Sequence, residues 1–141
     1  MDTSSSRYTL FPGIKELLVE LSADCQLYVW TARDRLSTVR YLTEFDILRF
    51  FSGISTPDDA LPKPRAEGLQ LLVKGVSKNS ICVIGDSPAD MMGAKNFGVM
   101  GIGACWATHV SSSNLVSAGA DFIVSDPSEC SKLIKLNLKE N

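Results

Sequence analysis

The run Ile81-Cys82-Val83-Ile84-Gly85-Asp86-Ser87-Pro88-Ala89-Asp90 decides the fold. Its apolar half is short, rich in strand formers and stops abruptly at Gly-Asp, as a strand covered on both faces does. A helix is expected to open near Ala89 and to end at Gly98, a residue type that tolerates the left-handed turn after a helix. A carboxylate therefore stands at the end of a buried strand, and a second follows one turn into the next helix.

Working outward, the same alternation recurs. Downstream, the spacing predicts a strand over 99–104, a short helix over 114–118 and a small strand over 122–124. Pro127 and Ser128 then start a last helix through Cys130, Leu133, Ile134 and Leu138. Upstream, Pro12 and Gly13 open a helix whose Ile14, Leu17, Leu18 and Leu21 form one apolar stripe, closed by Asp24 and Cys25. Residues 26–30 read as a buried strand, followed by Thr31-Ala32-Arg33-Asp34 and a helix with Leu36, Val39 and Leu42 near helical spacing. A weaker strand is expected near 53–55. A loop over 56–65 carries Pro57, Pro62 and Pro64, and a third helix over 66–74 carries Leu69, Leu72 and Val73. Strands alternating with helices mean an α/β fold, three layers deep and Rossmann-like, with a mostly parallel sheet. Residues 9–141 are expected to form this single core, and the polar, Ser-rich residues 1–8 to be disordered or displaced.

Composition narrows the function classes. The chain has 141 residues, 45% hydrophobic and 21% charged, enough for one ordinary core. A formal charge of −2, with Lys and Arg scattered, gives no footprint for nucleic acid. No apolar run approaches the roughly 18 residues of a membrane span, and residues 1–7 lack the apolar core of a secretory signal. Cys25, Cys82, Cys105 and Cys130 form no CxxC pair, so reduced, buried thiols and a cytoplasmic location are the expectation.

In an open parallel sheet, ligands bind beyond the carboxyl ends of the strands. Three polar signals fall there. Thr31, with Ala32 and the following backbone N–H groups at a helix start, suits an anion, or is a plain helix cap. Lys63 is held between Pro62 and Pro64, which restrict its backbone. Its ammonium is placed to neutralise a phosphate or a carboxylate, or is a solvated loop charge. Asp86 and Asp90 suit a hard cation such as Mg²⁺, which takes one or two carboxylates and keeps waters, or are acidic residues favoured in a helix's first turn. Trp106 and His109 follow the 99–104 strand, and burial under the loop and a surface position account for them as well as substrate contact does.

The order of these signals resembles the haloacid dehalogenase superfamily of phosphatases. Residues 11–13 are similar to that family's entry into its core helix after the cap domain. Leu27-Tyr28-Val29-Trp30-Thr31 resembles its motif II, Leu61-Pro62-Lys63-Pro64 its motif III, and residues 81–90 its motif IV. Ala118-Gly119-Ala120-Asp121 and Pro127 resemble the phosphoglycolate-phosphatase branch. The resemblance implies that Thr31 hydrogen-bonds phosphoryl oxygens, with Ala32 beside it. It implies that Lys63 balances charge on the nucleophile and phosphoryl group, that Asp86 binds Mg²⁺, and that Asp90 supports the ion directly or through water. The implied substrate is a small phosphorylated metabolite.

One part of the resemblance is missing. The family's nucleophile is the first aspartate of an apolar strand followed by DxDxT, and it forms an aspartyl-phosphate. No such motif occurs here: Asp2 is the one acidic residue before Glu16. The chain is therefore expected to be a core without its nucleophile strand and cap, inactive alone. The alternative is a non-catalytic module that binds phosphate, Mg²⁺ or a protein. In the family that strand lies between those of motifs II and IV. Its loss implies either that the two neighbours close up, carrying Thr31 roughly 5 Å toward Asp86, or that a dimer partner or another chain fills the slot.

Overall fold

A computed structural model describes residues 10–138. The expectations for residues 1–8 lie outside the described residues. Six helices and five strands alternate from α1 (Ile14–Ser22) through β1 (Leu27–Trp30), α2 (Arg35–Glu44), β2 (Phe51–Ser55), α3 (Glu67–Leu72), β3 (Cys82–Gly85), α4 (Pro88–Phe97), β4 (Met100–Ala104), α5 (Ser112–Ser117) and β5 (Phe122–Val124) to α6 (Glu129–Asn137) among the described residues. The expected strands and helices are all present, with ends displaced by one or a few residues.

Every strand pairing is parallel, but the strands form two sheets: β1 with β2, and β3 with β4 and β5. The two strands that carry motifs II and IV have not closed up: β1 and β3 are not hydrogen-bonded to each other. They still belong to one layer, because both contribute to the same two apolar clusters. On one face Leu27, Cys82 and Ile84 pack against Leu17, Leu21, Ile102, Val124, Cys130 and Ile134. On the other, Tyr28, Trp30 and Val83 pack against Leu69, Val73, Ile81, Ala94 and Val99. Helices cover both faces, giving the three layers.

The first helix forms as its stripe predicts, burying Leu17, Leu18 and Leu21. The second does not. In α2 the one buried residue is Thr38, whose hydroxyl donates to Asp34 O at 2.7 Å, while Leu36 is 82% exposed. Its apolar residues near helical spacing do not mark a face pressed on the core.

Candidate active site at the strand ends

Parallel strands end together, and here the ends of β1 and β3 carry Thr31, Asp86 and Asp90, while Lys63 comes from the loop that follows β2. Lys63 links them. Its Nζ donates to Trp30 O at 2.9 Å and to Asp90 Oδ1 at 2.5 Å. Both side chains of the ion pair are nearly buried, at 10% and 11% exposure. A charge pair removed from water needs good geometry and further hydrogen bonds, and both partners have them. Asp90 Oδ2 accepts from Ser87 N–H at 3.1 Å, and Ser87 Oγ accepts from Asp90 N–H at 3.2 Å. This is a reciprocal cap at the start of α4, with Pro88 in its first turn. Lys63 Nζ also lies 5.1 Å from the centre of the Trp30 ring, within range of an attractive cation–π contact.

Small residues make this approach feasible. A Cβ on Gly85 would lie 2.4 Å from both Cβ and Oδ2 of Asp90, so only glycine lets that carboxylate fold back over the strand end. A Cβ on Gly93 of α4 would lie 2.5 Å from the Trp30 ring, and one on Gly68 of α3 would lie 2.9 Å from its Nε1. The indole is thus seated between two helices and underlies Lys63. Asn96 of α4 donates to Pro64 O at 2.9 Å and tethers the loop from the other side.

Asp86 differs from Asp90. It is exposed and has no hydrogen-bond partner among the described residues. Thr31 is half-buried. Its Oγ1 accepts from Arg33 N–H at 3.0 Å, and its own N–H donates to Ser55 O. Its hydroxyl proton remains available, and Ala32 N–H is engaged by no described residue. The cap of α2 is Asp34, not Thr31: Asp34 accepts from both the hydroxyl and N–H of Ser37, which hold its carboxyl below the usual carboxylate range. Thr31 is therefore free of the capping duty that was its alternative reading.

A further network joins the Thr31 loop to the Lys63 loop. Arg35 donates to Ile54 O at 2.9 Å and Asp59 Oδ2 at 2.6 Å, its N–H donates to Asp58 at 3.2 Å, and Thr56 N–H donates to Asp59 at 2.9 Å. The Thr56 N–H and then Arg35 lower the Asp59 carboxyl from its ordinary value. Trp106 packs against the core, with its ring 6.3 Å from that of Phe11, and His109 is exposed.

The donor set fits a hard cation of low protein coordination. Asp86 offers unengaged oxygens, and Asp90 retains lone pairs beyond its two bonds. Among the described residues, no cluster of three His, Cys, Asp or Glu side chains is placed to enclose a metal, so a cation held by these two carboxylates would need water or substrate oxygens to complete its coordination, as Mg²⁺ tolerates.

Similarity to known proteins bears on the fold. The chain superposes on a haloacid dehalogenase-like hydrolase from Streptococcus pneumoniae with a TM-score of 0.81 and 25% identity, over 93% of this chain and 62% of that one. A hydrolase from Pseudomonas syringae gives 0.82 and 22%, over 96% and 66%. A haloacid dehalogenase-type phosphatase from Thermococcus onnurineus gives 0.80 and 20%, over 92% and 60%. The chain thus spans less than two thirds of the length of these structures. No protein of curated function matches it. The family profile described as haloacid dehalogenase-like hydrolase matches residues 2–104, and the chain belongs to that family.

Proposed function

We propose that this chain is the Mg²⁺- and phosphate-holding core of a phosphatase for small phosphomonoesters, and that it does not hydrolyse them by itself. The observation that carries this reading is Lys63, a nearly buried ammonium fixed between the end of β1 and Asp90, with Asp86 exposed at the end of β3.

Each residue has one task. Thr31 donates its hydroxyl proton to a phosphoryl oxygen, and Ala32 N–H donates to another. Lys63 uses its third proton, the two others being committed to Trp30 O and Asp90. These groups screen the charge of a phosphoryl group and hold it for in-line attack. Asp86, backed by Asp90, holds the cation; when bound, Mg²⁺ neutralises the phosphate oxygens as a Lewis acid. The attacking carboxylate is the part the sequence does not contain. The non-catalytic alternative shares these binding tasks and differs in needing no nucleophile from elsewhere.

Calorimetric titration with inorganic phosphate tests the reading. Binding is expected to be at least about tenfold tighter with Mg²⁺ than without, a difference of about 1.4 kcal/mol, and Asp86→Ala is expected to remove that difference by weakening the Mg²⁺-supported binding. Equal phosphate binding with and without Mg²⁺, unchanged by Asp86→Ala, would refute it.

A further inference from the structure

The groups assigned to phosphate come from two segments. Thr31 and Ala32 lie in the turn between β1 and α2, and Lys63 lies in the loop after β2. Lys63 Nζ reaches Trp30 O and Asp90, but those bonds anchor only the tip of its side chain. The distance from Lys63 to the Thr31 hydroxyl and the Ala32 N–H decides whether one phosphoryl group meets all three, so the backbone of the two segments needs a tie of its own.

Arg35 and Asp59 form that tie. Arg35 is the first residue of α2, four residues after Thr31, and Asp59 stands four residues before Lys63. Arg35 Nη2 donates to Asp59 Oδ2 at 2.6 Å and to Ile54 O at 2.9 Å, and Arg35 N–H donates to Asp58 Oδ2 at 3.2 Å. The same Asp59 oxygen accepts from the N–H of Thr56 at 2.9 Å and from its hydroxyl at 3.1 Å. Thr56 O in turn accepts from the N–H groups of Asp59 and Ala60. Thr56 is only 3% exposed, so the knot is set into the core. From Asp59 to Lys63 the chain passes through Ala60, Leu61 and Pro62, whose ring fixes its φ. Arg65 N–H then closes a turn onto Pro62 O at 3.1 Å. A shift of Asp59 is therefore passed on to Lys63 rather than absorbed on the way.

Folding stability does not account for the pair. Its side chains are 45% and 34% exposed, and ion pairs that open to water add little to stability. What this one fixes is the separation of two segments more than twenty residues apart in the chain. We propose that Arg35 and Asp59 are positioning residues, whose ion pair locks the 31–35 segment to the 54–59 segment and so sets the Thr31 and Ala32 donors at the right distance from Lys63. The proposal rests on the phosphate-holding role given to those three residues above.

The test compares the full chain with Arg35→Met, Asp59→Asn, the double variant and Arg35→Lys. The first readout is amide hydrogen exchange without Mg²⁺ or phosphate. Arg35→Met is expected to speed exchange at Thr56, Asp59 and Ala60, and Asp59→Asn to speed it at Thr31 and Arg33, each by at least about tenfold. The β4 amides are expected to stay unchanged, which also verifies that each variant is folded. The second readout is calorimetric titration with inorganic phosphate in the presence of Mg²⁺. Each single variant is expected to bind at least about fivefold more weakly, and the double variant no more weakly than the worse single one, because both lose the same contact. Arg35→Lys is expected to bind within about threefold of the parent, since one ammonium can supply both protons that Nη2 donates. Should Arg35→Met fail to fold, Asp59→Asn, which keeps an oxygen for Thr56, carries both readouts. Exchange changes confined to the substituted segment overturn the proposal, as do phosphate losses that add in the double variant. Variants that bind phosphate as well as the parent overturn the positioning role and leave the phosphate-holding reading standing. A parent that binds no phosphate overturns that reading, and the positioning role with it.

Discussion

Replacing Lys63 by methionine should destabilise the chain by about 3 kcal/mol. The side chains of the Lys63–Asp90 pair are 10% and 11% exposed, and removing one partner of a buried pair costs about 3–5 kcal/mol because the other charge is left uncompensated. Trp30 O also loses its donor, at about 1 kcal/mol. The methionine stem retains the packing on the Trp30 ring, and Asp90 keeps the Ser87 N–H and limited access to water, so the lower end of the range applies. Urea unfolding followed by circular dichroism measures the change. With a slope of about 1.5 kcal/mol per molar, the midpoint falls by about 2 M. Adding Asp90→Asn to Lys63→Met removes the stranded charge and should restore about 1–2 kcal/mol. A single variant within about 0.5 kcal/mol of the parent would refute the reasoning, because the pair would then behave as a solvent-screened surface contact.

Other expectations use the same measurements. Gly85→Ala drives a Cβ to 2.4 Å from Asp90 and should cost about 2–3 kcal/mol by urea unfolding, whereas Gly75→Ala, whose Cβ meets nothing within 4 Å, should cost only the strain of its positive φ. Ser87→Ala removes one half of the reciprocal cap and should cost about 1 kcal/mol. Burial, then Glu129 and Asp126, push the Cys130 thiol up to about 11 from an ordinary 9.0. Its stabilising effect is therefore complete below pH 9 and lost as pH rises through about 11. Between those values the parent should lose stability more steeply than Cys130→Ala, by at most about 1.4 kcal/mol per pH unit.

Much of the fold was legible because the chain's signals are local. Residues 81–84 stop at Gly-Asp, residues 14–21 carry a clean stripe, and the prolines around Lys63 mark a loop. The convergence of Lys63 with Asp90 followed from parallel strands ending on one side. The parts that misled are those set by distant packing. The spacing of Leu36, Val39 and Leu42 marked the helix but not its inner side: α2 turns Thr38 inward and leaves Leu36 in water. Thr31 resembled a cap, but its oxygen is taken by Arg33 N–H and Asp34 caps the helix. Ser87 and Asp90 stand at the spacing of a reciprocal cap, a local signal that the sequence carries alongside the carboxylate's suitability for a cation. The seat of Trp30 between Gly68 and Gly93 could not be read locally, since those residues lie far apart in sequence. The Arg35–Asp59 link was missed for the same reason.

The central claim is that the binding half of a phosphatase site is present and the attacking group is not. Incubating the purified 141-residue chain with p-nitrophenyl phosphate and Mg²⁺ tests it most directly. The account predicts release of p-nitrophenol no faster than in buffer, both for the parent and for Asp86→Ala. Mg²⁺-dependent release by the parent that disappears in Asp86→Ala would show that the chain contains its own nucleophile, and would contradict the account.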